Sequence, residues 1–172
     1  MINPAILGGN MSPDWAERAV DPDGYLGAHY LVGSTTKEYH YAYWRPTYDT
    51  PGGVASQFTL TIYAKAQQYS CIRLMRFGDQ FNNVVFYKLT GAGVARIHET
   101  DGWLGPGPKP ATLAAGITAL PNGWYECWLT CDREEIYGEI QVHATQSLRD
   151  TSIRPQSEGT KMLWLWGAQI AS

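Results

Sequence analysis

The chain has 172 residues, 17% of them charged, and a formal net charge of −3 at neutral pH. That length suits one domain whose core needs neither metal nor disulfide to hold it. The slight acidity argues against phosphate-driven binding of duplex nucleic acid, and no run of about 18 apolar residues is present to span a membrane as a helix.

Turn formers and aromatics dominate what is left: 18 Gly, 10 Pro, 7 Trp, 11 Tyr and 4 Phe. Low charge with many turns points to an all-β domain. The opening residues, 1–9, lack a positive segment and a long enough apolar stretch to act as a signal peptide. Synthesis in the cytoplasm is expected, with the start at Met1 suiting a small stand-alone gene product.

Residues 1–20 read as an irregular N-terminal arm. Within it Ser12-Pro13 is a helix-start signal for one short turn. A turn by composition follows at Asp21-Pro22-Asp23-Gly24. From there to the end, residues 21–172, the sequence alternates with period two. Strands are expected at 25–32 and 38–45, then at 57–66, where Phe58, Leu60, Ile62 and Ala64 oppose Thr59, Thr61, Tyr63 and Lys65. Further strands fall at 70–77, 84–89 and 94–98, the last two flanking a Gly-rich hairpin turn at 90–93.

Residues 101–110 carry three Gly, three Pro and Trp103 and read as a loop. Residues 112–118 suit a short helix or a strand. Asn122-Gly123 is a turn signal. Strands follow at 124–131 and 136–144, and an aromatic-rich strand at 162–170 closes the chain. Such a succession gives a two-sheet antiparallel β-sandwich of the jelly-roll kind.

Five segments, taken in order, resemble a family of jelly-roll, carbohydrate-binding-module-like domains found in phage tail and other virion proteins. They are Asp21-Pro22-Asp23-Gly24-Tyr25, Phe58-Thr59-Leu60-Thr61-Ile62-Tyr63-Ala64-Lys65-Ala66, and Val85-Phe86-Tyr87-Lys88-Leu89-Thr90-Gly91-Ala92-Gly93-Val94. Gly123-Trp124-Tyr125-Glu126-Cys127-Trp128-Leu129-Thr130 and Met162-Leu163-Trp164-Leu165-Trp166-Gly167-Ala168-Gln169-Ile170 complete the set. The likeness spans roughly residues 20–170. The chain departs from it at Glu126, where arginine is common, and in lacking an acid after Ile170. The resemblance implies a non-catalytic phage virion surface module, tail or capsid associated, made in the host cytoplasm and located in the virion.

The three cysteines, Cys71, Cys127 and Cys131, form no CxxC pair. On one strand Cys127 and Cys131 would stand about 13 Å apart, too far for a disulfide, so buried thiols are expected. No cofactor is expected. The four His show no metal-ligand spacing, while Asp14, Asp21, Asp23 and Asp101 leave room for a structural calcium; turn chemistry alone also accounts for Asp21 and Asp23. A glycosidase would need two carboxylates about 5–10 Å apart, and Glu126 with Glu139 on neighbouring strands are the candidates. A polysaccharide lyase would draw on Arg73, Gln141, His143 and Tyr137.

The aromatics are the better candidates, because sugar C–H faces stack on Trp and Tyr while polar neighbours bond the hydroxyls. Tyr63, Arg73, Trp128, Tyr137, Glu139, Gln141 and His143 lie opposite the clearest apolar residues. If their strands share a sheet, they line one outer face, with Trp103 exposed in its loop. Trp164 and Trp166 are assigned to the core, and Trp15 to pinning the N-terminal segment. The expected ligand is a glycan. Other virion proteins and a second copy of the chain are further expected partners; nucleic acid and membrane are not. Two alternatives remain open: a structural or decoration protein using the aromatic face and the arm for subunit contacts, and a polysaccharide lyase or hydrolase.

Overall fold

The structure is a computed structural model that describes residues 6–9, 11–12, 18–33, 40–44, 57–77, 82–98, 112–132, 139–148 and 161–171. These form β1 (Ile6–Gly9), β2 (Met11–Ser12), β3 (Arg18–Val20), β4 (Leu26–Gly33), β5 (His40–Trp44), β6 (Gln57–Ala66) and β7 (Cys71–Phe77). The succession continues with β8 (Asn82–Lys88), β9 (Val94–His98), β10 (Thr112–Ala119), β11 (Trp124–Asp132), β12 (Glu139–Thr145) and β13 (Lys161–Ala171). The sequence reading of an all-β two-sheet sandwich therefore holds.

One sheet has six strands in the order β1-β5-β12-β7-β8-β9; the other has seven, β10-β11-β6-β13-β4-β2, with β3 also beside β4. Every pairing is antiparallel. The chain crosses repeatedly between the sheets, as a jelly roll does, so strands adjacent in sequence are often not neighbours in space.

The core follows from the alternation. Phe58, Leu60, Ile62 and Ala64 of β6, with Tyr125, Cys127, Leu129 and Cys131 of β11, face Ile72, Leu74, Val85, Tyr87, Ile140 and Val142 of the six-stranded sheet. Each large aliphatic side chain so buried contributes about 1.5–3 kcal/mol. Two phenols carry their hydroxyls through this core to carbonyls, as buried tyrosines must. Tyr87 Oη donates to the Trp128 carbonyl at 2.6 Å, and Tyr125 Oη to the Gly91 carbonyl at 2.9 Å. At the rim Asn83 Nδ2 donates to Thr112 Oγ1 at 3.2 Å, again from sheet to sheet.

Three local features differ from, or add to, the sequence reading. The first twenty residues, expected to be irregular, supply β1, β2 and β3, which pair with β5 and β4; such short strands gain their stability from the edges they join rather than from local pattern. The helical turn expected after Ser12 lies outside the described residues, as do Trp15 and the 101–110 loop. Residues 112–119 take the strand option, laid against β11.

In β13 the register slips by one residue between Trp166 and Gln169. Gly167 sits there at φ 58°, the left-handed conformation that a one-residue bulge requires and that glycine adopts without a Cβ penalty. The Asn122-Gly123 turn likewise holds both residues at positive φ, 60° and 76°.

Candidate functional site

The outer face of the seven-stranded sheet carries ordered rows of side chains. One row runs Trp124, Lys65, Trp164 and Tyr30 across β11, β6, β13 and β4. The next runs Glu126, Tyr63 and Trp166, and a third Gly116, Trp128, Thr61 and Gln169. Trp164 and Trp166 thus stand on this outer face, not in the main core as expected. Their alternation could not be phased from sequence because the bulge at Gly167 breaks it.

The first row is a small second core. Trp124, Trp164 and Ala28 are buried, with Tyr30, Tyr63, Leu120 and Trp166 packed against them. Tyr30 stacks on Trp164, and Trp124 Nε1 donates to the Val20 carbonyl at 3.2 Å. This end of the face is therefore packed ring against ring.

The third row is different. A Cβ added at Gly116 would fall 2.6 Å from Cε2 and 2.8 Å from Nε1 of Trp128, and closer still to Cζ2. The indole therefore closes over a strand position that offers it no side chain, and the residue is half-buried. Tyr63 leans over Gly167 in the same way, its Cδ2 3.1 Å from where a Cβ would stand.

Beside these rings stands one hydrogen-bonded acid. Tyr63 Oη donates to Glu126 Oε1 at 3.1 Å, while Trp166 meets the Tyr63 ring edge-on at 5.0 Å. Burial, and after it the Glu126 carboxylate, hold the Tyr63 phenol above its usual pKa. Across the row Thr59 and Thr130 share a hydroxyl bond of 2.9 Å. Gln169 is exposed and Thr61 half-buried beside Trp128.

Asp21 closes one end of the face. Its Oδ1 accepts from the Asp23 and Tyr25 amides at 3.0 and 2.9 Å, which shapes the turn. Asp14 and Asp101 lie outside the described residues. Among the described residues no group of three or more His, Cys, Asp or Glu side chains is arranged to hold a metal ion.

The expected single platform resolves into two sheets. Tyr63 and Trp128 belong to the seven-stranded sheet, whereas Arg73, Glu139, Gln141 and His143 belong to β7 and β12 of the six-stranded one. Trp103 and Tyr137 lie outside the described residues, and for Glu139 only the strand position is described. The sequence order of β11 and β12 suggested that Glu126 and Glu139 face each other; the chain instead crosses to the other sheet between them, which separates the pair.

Arg73, Gln141 and His143 do come together. His143 Nε2 lies 3.3 Å from Arg73 Nη2 and 2.9 Å from Gln141 Oε1. That nitrogen can accept from the guanidinium or donate to the amide oxygen, not both in one tautomer. The three are only 7%, 6% and 2% exposed, beside the buried Met75, Val84 and Phe86. Burial first, then the Arg73 charge, hold the His143 pKa well below its usual value, so the ring is neutral. The group is a buried polar network, unlike the half-open aromatic row opposite.

Sequence reasoning assigned Glu126 to a carboxylate pair and passed over Gly116, Thr61 and Gln169. A glycine inside an alternating strand was the available signal, since it marks a place where another group approaches the backbone. No protein-family model matches the chain, and no curated protein matches it.

Proposed function

We propose that this chain is a non-catalytic surface module of a phage virion that binds carbohydrate on the outer face of its seven-stranded sheet. One observation carries the reading: the half-buried Trp128 indole on this outer face closes over Gly116, a strand position with no side chain of its own. The pyranose C–H face stacks on that ring, and Glu126, Thr61 and Gln169 take the sugar hydroxyls. The virion assignment rests on the five-segment resemblance. The separation of Glu126 from Glu139 into different sheets supports a binding rather than a hydrolytic role.

A glycan array followed by calorimetric titration tests this. Trp128→Ala should weaken the best glycan by about tenfold or more, equivalent to roughly 1.4 kcal/mol. Unchanged affinity in that variant overturns the named site, and turnover of a polysaccharide overturns the non-catalytic reading.

A second reading, subunit contact beside the same face, is favoured by Val20, Tyr25 and Leu26. These adjoining apolar side chains are 50%, 74% and 64% exposed. Binding to a purified virion protein that Tyr25→Ser abolishes, with no glycan hit, would favour it.

A further inference from the structure

The two sheets end in edges of very different character. β1 is four residues long, β2 and β3 two and three, and β9 five. Short edges are blunt by length, and β3 and β9 also carry the exposed Arg18 and Arg96. β10 spans eight residues, Thr112–Ala119, and has neither charge nor proline. Edges of this kind pair with another strand unless protected. Among the described residues its one protective device is a bulge between Thr112 and Ala114, which leaves residues 114–119 in regular register with β11.

The hydrogen-bond phase of that edge can be read. The Leu120 amide donates to the Trp124 carbonyl at 2.8 Å, so Leu120 and Trp124 form a bonded pair. Bonded pairs alternate along an antiparallel ladder. Thr118 and Gly116 therefore turn their amides and carbonyls toward β11, while Ala119, Ile117 and Ala115 turn theirs outward. The Ile117 side chain is held inward against Gly93, and Ala115 packs on the main core. The outward backbone groups stand clear of their own side chains, and among the described residues no strand covers them.

We propose that β10 is a dimerisation edge, pairing antiparallel with β10 of a second copy about a two-fold axis at Ile117. Three equally spaced outward residues are self-complementary under that operation. Ile117 faces Ile117 of the partner subunit, and Ala115 faces Ala119 of the partner subunit. Each of the three residues donates one bond and accepts one, and no like charges oppose. The exposed apolar side chains of this flank, Leu113 of β10 with Val94 and Ile97 of β9, border the same seam. An isologous contact of this kind closes at two copies. The inference goes beyond the glycan reading and does not depend on it.

Sedimentation equilibrium of the full chain over a wide concentration range tests the proposal, alongside Thr118→Lys and Ala119→Pro. In the dimer Thr118 faces Gly116 of the partner subunit, so the two new lysines meet diagonally across the seam. Ala119→Pro removes an outward amide and leaves the bonds to β11 in place. The chain should sediment as a dimer, each variant should raise the dimer dissociation constant at least about tenfold, and Thr118→Ser should not. Circular dichroism checks that the variants fold. A monomer at every concentration, or a dimer indifferent to both variants, overturns the proposal. Titration with a monovalent oligosaccharide should give the same affinity per chain for the parent and for Ala119→Pro; absence of binding in both would strike the glycan reading and leave the dimer standing.

Discussion

Gly116→Ala is a one-methyl test of the indole packed against Gly116. The new Cβ would sit 2.6–2.8 Å from Cε2 and Nε1 of Trp128, against a comfortable carbon contact of about 3.5–4.0 Å. The ring must lift by about 1 Å or rotate off the strand. Overpacking of this size costs about 1–3 kcal/mol, and the lower chain entropy of unfolded alanine returns about 0.4–1 kcal/mol. A net loss of up to roughly 2.6 kcal/mol follows, or up to about 10 °C in melting temperature for a chain of this length. The tilted ring no longer offers a flat face, so glycan affinity should fall by about tenfold. Differential scanning calorimetry and calorimetric titration read the two effects, and near-ultraviolet circular dichroism reports the moved indole. A variant that melts, binds and absorbs like the parent would refute the packing argument and with it the platform.

Other consequences are testable on the same protein. The His143 pKa is lowered in the fold and normal in the unfolded chain, so the unfolded state takes up the extra proton as pH falls below about 6.5. Stability should be full above that pH and fall below it by up to about 1.4 kcal/mol per pH unit, with half-buried His29, also lowered, adding in the same direction. His143→Gln should flatten this dependence between about pH 5 and 6.5, and an unchanged slope would refute the assignment. Tyr87→Phe, which removes the bond to the Trp128 carbonyl, should cost about 0.5–1.5 kcal/mol in urea titration with no change in slope; a parental midpoint would contradict it. The three cysteines are buried, and burial raises the thiol pKa of Cys71 and Cys127. All three should resist Ellman's reagent in the native state and react in denaturant; a thiol labelled at the free rate would show its burial to be transient.

Strands were legible because their alternation is itself the imprint of a half-buried sheet. Phe58 to Ala64 and Tyr125 to Cys131 could be phased residue by residue, and their buried members are the core. Neighbour relations were not legible, since a jelly roll pairs strands distant in sequence: β11 lies beside β6, not β12. That is why Trp128 and Tyr63 fell correctly on one face while Arg73, Gln141 and His143 were grouped with them across a sheet boundary. The strands β1 to β3 were hidden for a related reason, as two to four residues carry too little periodicity to outweigh their turn formers.

The bulge at Gly167 bears on how this chain tolerates insertion and deletion. Along Trp166-Gly167-Ala168-Gln169 the directions run outward, left-handed turn, inward, outward, and each residue type answers its own geometric demand. Ala168 is wholly buried, where a larger side chain would have no room. Losing Gly167 would turn the bulge into regular ladder with Gln169 still opposite Thr61, so the strand beyond it would keep its faces. Elsewhere in β13 a lost residue would exchange every face beyond it, so the slack of this strand sits at the bulge. The tetrapeptide is therefore the place where β13 can change its length without changing its phase against β6.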